Sequence, residues 1–247
     1  MRGLPQLILT QAKLYLREPI ATFFTIFYAP LTLILFGSIY GNEPTPMFGN
    51  RGTIDIGVPA YIALIIVTVG LIGLPITVAA EREKGILRRY RATPLHPLAY
   101  LLSEVVTYFA MTLLGVFLLI LVGRLGWNLR FEGNVLSVLG GFVLATLSTF
   151  AFGFLVGSLS PTARLAQTVG MVLAFPMMFI SGATIPWEIL PGGVQRVAEF
   201  VPLTHAVRLL RKLWAGGSWG EVWVSAVVLA GVLVVCTALS ARFFRWE

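Results

Sequence analysis

The chain has 247 residues, of which 57% are hydrophobic and only 12% charged, and its net charge is +7. A soluble domain carries roughly a quarter charged residues, so there is too little polar surface here to cover a globule in water, and the expected solvent is a bilayer. The charges collect in short segments between long apolar runs, which assigns the basic excess to membrane topology and argues against nucleic acid as a partner. The single cysteine, Cys236, allows no disulfide within one chain and no cysteine-based metal cluster.

Arg2, Lys13, Arg17 and Glu18 crowd the N-terminus, and no short apolar run there ends in small residues. A cleavable leader is therefore not expected, and the first apolar run reads as a retained anchor. In residues 4–17, Leu4, Leu7, Ile8, Ala12, Tyr15 and Leu16 can share one helical face, which predicts an amphipathic helix lying in the interface. A membrane-spanning helix needs about 20 apolar residues. Six runs qualify, over about 20–40, 57–80, 98–122, 135–159, 165–185 and 221–244. The expected fold is a single all-α polytopic membrane domain over residues 1–247.

Inside the runs, Pro30 and Pro75 predict bends, because proline removes a backbone donor, and Pro176 lies in the interior of the fifth run. Gly153 and Gly157 form a G-x-x-x-G pair, a close-packing face by default. Residues 187–220 carry Pro191, Pro202 and two Gly-Gly pairs, with apolar residues at helical spacing in short pieces. Two short interfacial helices are predicted there, over about 189–200 and 204–214.

Between the second and third runs lies a charged island, EREKGILRRYRATPLHP, with five of the 18 basic residues and two of the 11 acids. It cannot sit in hydrocarbon. Ile86, Leu87 and Tyr90 can share one face of a short helix, with Arg88, Arg89 and Arg91 elsewhere, and Thr93-Pro94 and His96-Pro97 stop it. An apolar ridge with charged rims suits a protein interface. With both termini on the island's side, that side holds 11 basic residues and the other holds seven, so the positive-inside rule places termini and island in the cytoplasm. Arg208, Arg211 and Lys212 fall on the opposite side and run against the rule.

The stretch EREKGILRRYRATPL resembles the signature between the second and third spans of ABC-2 type transporter permeases. Ile180-Ser181-Gly182-Ala183-Thr184-Ile185-Pro186 and Pro202-Leu203-Thr204 resemble the family's pattern after the fifth span, so the likeness covers nearly the whole chain. Among relatives it looks most similar to drug and antibiotic exporters. The resemblance implies a half-transporter in a bacterial or archaeal inner membrane, paired with a second permease as a homodimer or heterodimer. It implies two copies of a separate ATPase subunit that hold ATP and magnesium. It assigns Glu81, Arg82, Glu83, Lys84, Gly85, Ile86, Leu87, Arg88, Arg89 and Tyr90 to a coupling helix that docks that ATPase. It makes the two short helices of 187–220 re-entrant from the outer face, with Ser181, Gly182, Pro186 and Pro202 at their gate. It runs the substrate path along the dimer interface, mainly between spans 2 and 5. By residue type the candidates there are Phe175, Met178 and Phe179, which give span 5 a flexible, polarisable surface, and Thr68 and Thr77 in span 2.

The missing chemistry points the same way. Only Lys13, Lys84 and Lys212 exist, and none follows a glycine, so there is no G-x-x-x-x-G-K-[ST] phosphate cradle in this sequence. The chain is not expected to be an enzyme, and no catalytic or metal residues are assigned. Gly216-Gly217-Ser218-Trp219-Gly220 fits G-x-S-x-G, but it reads as a turn before a span and not as a nucleophile elbow. Glu104 stands inside the third run, where a charge is costly. It reads as a helix-end carboxylate reaching the interface or pairing with a neighbouring Arg; as a proton site it would instead make the chain a secondary transporter.

Overall fold

A computed structural model describes residues 4–46, 50–86 and 97–243. Among the described residues nine α-helices carry the fold, numbered here in chain order. Helix α1 is Leu4–Leu16. Helices long and apolar enough to cross a membrane follow as α2 (Pro19–Tyr40) and α3 (Thr53–Glu83), then as the greater part of α4 (Pro97–Trp127). After them come α5 (Val135–Leu159) and α6 (Ala163–Ile180). Two short helices, α7 (Gly192–Ala198) and α8 (Pro202–Trp214), precede the last crossing helix, α9 (Trp223–Phe243). Among the described residues no strand forms; Thr45 and Arg51 make one isolated bridge.

The six expected runs are thus present, with corrected ends. Helix α3 begins four residues before the expected 57 and continues through Glu83, so the first three charged residues of the island are helical. Helix α6 stops at Ile180, short of the expected 185, because Ser181 caps it and Gly182 turns the chain at φ +85°. The segment expected as one helix over 189–200 is shorter. Trp187–Ile189 is a single 3₁₀ turn, and α7 starts only after Pro191. Pro202 opens α8 at its first position, where its missing N–H costs nothing.

Helix α3 is the centre. It packs against α2, α4, α5, α6 and α8. Of its apolar window 72% is buried inside the chain, against 28% for α6 and 17% for α9. A helix apolar all round is stable only with partners or lipid on every side, and α3 takes protein while α6 and α9 leave most of their surface outward.

Two crossing helices contain a π-helical turn, Phe23–Phe27 in α2 and Thr68–Gly73 in α3. Each is closed by an N–H reaching back five residues, Tyr28 to the Phe23 carbonyl and Leu74 to the Val69 carbonyl. Each lies just ahead of a proline, Pro30 or Pro75, which donates nothing to the carbonyl four residues earlier. The chain meets the missing donor by widening a turn rather than by bending alone. Glycines of neighbouring helices then approach the exposed carbonyls. A Cβ on Gly153 would collide with the carbonyl oxygen of Gly70, one on Gly170 with that of Leu71, and one on Gly115 with that of Thr25. Gly157 lies against the backbone of Pro75, so the G-x-x-x-G pair is the α5 face that receives the wide turn of α3.

The obstacle at Gly153 is backbone, which cannot swing aside. Gly153→Ala is expected to destabilise the protein by about 1–3 kcal/mol, the usual cost of overpacking. Gly231→Ala, where nothing lies within 4 Å of the added methyl, should be neutral. Thermal unfolding in detergent, followed by the monodisperse fraction, separates the two.

Candidate coupling site and pathway residues

The last turn of α3 is tied to the connection between α5 and α6. The Arg82 guanidinium donates to the carbonyls of Ser158 at 3.1 Å and Gly157 at 3.3 Å, and also to that of Ser160. These are the carbonyls that the end of α5 leaves without helical partners, and a cation there also meets the negative end of the helix dipole. One residue on, the Glu83 carboxylate accepts the Ala163 N–H at 3.1 Å, the first N–H of α6. Glu81 accepts a long bond, 3.5 Å, from Gln11 of α1. Lys84 is exposed, and Gly85, at φ +69°, turns the chain out of the helix. Glu81, Arg82 and Glu83 therefore sit at a junction of four helices, and Ile86 follows, half-buried. Leu87, Arg88, Arg89 and Tyr90 lie outside the described residues.

Around the island end, Tyr108 of α4 joins three further elements. Its hydroxyl lies 2.5 Å from that of Thr77 in α3, and its ring meets Tyr15 of α1 edge-on at 5.1 Å and Phe150 of α5 at 6.4 Å. Tyr15 in turn bonds Thr25 within the wide turn of α2, and burial pushes its phenol up to about 12. Glu104, one turn before Tyr108, is only 1% exposed, and its Oε1 has no hydrogen-bond partner among the described residues. It does not reach out to the interface.

The five pathway candidates do not form one wall. Thr68 is buried and its hydroxyl returns to the Leu64 carbonyl at 2.8 Å. Thr77 is spent on Tyr108. Phe175 and Phe179, one helical turn apart on α6, are about half exposed and face outward, while Met178 between them turns into the core. The four gate candidates stand at the ends of elements. Ser181 caps α6 and accepts the Ala183 N–H at 3.3 Å, and Gly182 makes the turn. Pro186 precedes the 3₁₀ turn at Trp187–Ile189, and Pro202 opens α8.

Sequence reasoning missed what lies at the end opposite the island. Helix α8 is strongly two-sided, with Leu203, Ala206, Val207, Leu209, Leu210 and Leu213 buried and Arg208, Arg211 and Lys212 on the other face. That basic face borders a cavity of about 770 Å³, whose far wall is the start of α3 at Asp55 and Pro59. Three ion pairs ring it: Arg51–Glu132 at 2.9 Å, Arg211–Glu188 at 2.8 Å and Lys212–Glu221 at 3.1 Å. The Ser218 N–H, and after it Lys212, hold the Glu221 carboxyl below its usual range. Asp55 is buried and accepts from the Arg130 N–H at 2.9 Å, the Asn42 amide at 3.1 Å and the Gly52 N–H at 3.3 Å. Ser218 caps its own turn by donating to Glu221.

His205, on the buried side of α8, is locked by its partners. Its Nε2 faces the Glu199 carbonyl at 2.9 Å and so carries the proton, leaving Nδ1 to accept from Ser225 at 3.2 Å. Desolvation lowers its affinity for a proton, which favours the neutral ring.

Six helices long and apolar enough to cross a membrane, packed around the wide-turned α3, describe a polytopic membrane protein. Residues 38–242 match the ABC-2 family transporter protein family, and the chain belongs to it. It is 28% identical over 172 residues to a daunorubicin resistance ABC transporter permease protein, DrrB1, of Streptomyces coeruleorubidus, covering 66% of this chain and 59% of that one. It is 24% identical over 178 residues to the probable multidrug ABC transporter permease YbhR of Escherichia coli K12, covering 70% and 48%. The putative transport permease ycf38 of Cyanophora paradoxa is 27% identical over 82% of this chain and 71% of its own length. The chain spans about half to three-fifths of the length of the first two.

Two outcomes follow. Arg82→Gln removes the charged cap on α5, so amide hydrogen exchange at 158–163 should quicken by about tenfold, the equivalent of one lost charge-assisted bond; unchanged exchange would deny the tie. A His with a lowered folded value contributes stability present above about 6.5 and lost as pH falls below it. The drop in melting temperature between pH 7.5 and 5.5 should therefore be smaller in His205→Gln than in the unaltered chain.

Proposed function

We propose that this chain is the membrane half of an ABC exporter that moves a lipophilic small molecule or lipid-linked substrate outward. It works as a dimer with two copies of a separate ATPase that binds ATP and magnesium. The reading places the chain in a bacterial or archaeal inner membrane with both termini and the island cytoplasmic. Family membership and the drug-resistance names of its relatives support the exporter class. The absence of a phosphate cradle from this sequence fits an energy source in another polypeptide.

The observation that carries the mechanism is the tie between Arg82, Glu83 and the α5–α6 connection. A partner pushing on the island moves the end of α3, and through those bonds it moves the ends of α5 and α6 with it. The wide turn at Thr68–Gly73 lies midway along α3 and is a point where such a displacement can become a bend. Phe175 and Phe179, apolar and outward on α6, would then line the contact with the second permease. The buried Glu104 favours a second reading, proton-coupled transport, which needs no nucleotide.

Co-expression with the ATPase of the neighbouring reading frame tests both. Leu87→Ala combined with Arg88→Ala should abolish co-purification of the ATPase and lower efflux at least tenfold, a loss of about 1.4 kcal/mol or more at the interface. A complex that survives intact rejects the docking assignment. Glu104→Gln should leave ATP-driven efflux within about twofold; transport that persists without nucleotide and collapses with the proton gradient would favour the second reading instead.

A further inference from the structure

The cavity beside α8 has no part in the coupling mechanism, yet it is built as a binding site. Its volume of about 770 Å³ falls in the range of small-molecule sites, roughly 300–1,000 Å³. Its lining holds five cations and four carboxylates, which leaves one positive charge. All four carboxylates are already engaged: three in the ion pairs above, and Asp55 by three N–H donors. What remain are donors. A guanidinium has five N–H groups and no acceptor. The Arg130 side chain forms no ion pair among the described residues, and that of Arg208 reaches only the exposed Glu199, at a long 3.9 Å. Arg208 also lies over the Trp187 ring, 5.3 Å from its centre, and both residues border the cavity. Deeper in, Thr204 is 1% exposed and its hydroxyl has no partner. Unspent forked donors, one surplus charge and an indole wall together call for an acceptor-rich monoanion with an apolar side.

We propose that this cavity binds a phosphodiester anion, with the guanidinium groups of Arg130 and Arg208 on its non-bridging oxygens and Trp187 beside the rest of the molecule. Arg suits this role because its planar fork matches phosphate oxygens in pairs. The same chemistry comes from two sources, the headgroup of an anionic phospholipid in the adjoining leaflet or a soluble phosphodiester. Binding here requires neither the ATPase nor transport, so its failure would leave the exporter reading untouched.

The test uses the purified full chain in non-ionic detergent, with bound ligand counted by native mass spectrometry. The probes are dioleoyl phosphatidylglycerol, its soluble headgroup diester glycerophosphoglycerol, and neutral dioleoylglycerol. Phosphatidylglycerol should bind at one site per chain, and Arg130→Gln with Arg208→Gln should weaken it by about tenfold or more, as expected for lost charge-assisted bonds. Arg124→Gln, exposed on α4 and outside the cavity, should change nothing. Binding of the soluble diester as tight as the lipid's identifies a soluble source, and binding of the lipid alone identifies a headgroup. Either phosphodiester bound equally by the double variant, dioleoylglycerol bound as tightly as the anionic lipid, or no binding of either diester would overturn the proposal. Should the double variant misfold, Arg130→Gln alone decides, since that exposed side chain supports no packing.

Discussion

The architecture depends on how closely α3 can approach α5 and α6. In lipid, apolar side chains gain nothing by leaving one hydrocarbon surface for another, so association rests on close backbone contact. Gly153, Gly157 and Gly170 supply it, meeting the carbonyls of Gly70 and Leu71 and the backbone of Pro75. The wide turn and the glycines are two halves of one device. The turn lies just ahead of Pro75 and presents carbonyl oxygens, and only a residue without a Cβ can come near them. Helix α2 repeats the arrangement on a smaller scale, with Thr25 against Gly115 of α4.

The two ends of the bundle are held by different forces. At the island end the links are bonds from side chains to helix termini, Arg82 to α5 and Glu83 to α6, so a displaced helix end carries its neighbours with it. At the far end, ion pairs and the Asp55 bonds fasten loops around a cavity, while the apolar side of α8 is sunk among α3, α5 and α9. On the exporter reading, work enters at the end that is linked for movement, and the opposite end supplies a rigid mouth.

The spans were legible in the sequence because run length against bilayer thickness is a strong constraint, and α5 was bounded correctly at both ends. The prolines announced a missing donor, but nothing local told a bend from a widened turn. Ile180 to Ile185 read as continuous because five of those six residues are small or apolar, whereas Gly182 at positive φ had already turned the chain. Periodicity placed Phe175, Met178 and Phe179 on one helix without saying which side met protein, and the structure buries only Met178. The awkward basic group of Arg208, Arg211 and Lys212 was seen, but its acidic partners Glu188 and Glu221 lie up to 23 residues away and on other elements. Those pairings exist only once the chain has folded back on itself.

Asp55 imposes an order on biogenesis. Its carboxylate sits buried at the start of α3, and two of its donors, Asn42 and Gly52, precede it in the chain. The shortest of its bonds comes from Arg130, 75 residues later and beyond the whole of α4. During synthesis, α3 therefore leaves the ribosome with an acid that cannot be fully satisfied until the next span has crossed. The seat of that acid at the start of α3 is complete only when the segment after α4 is in place.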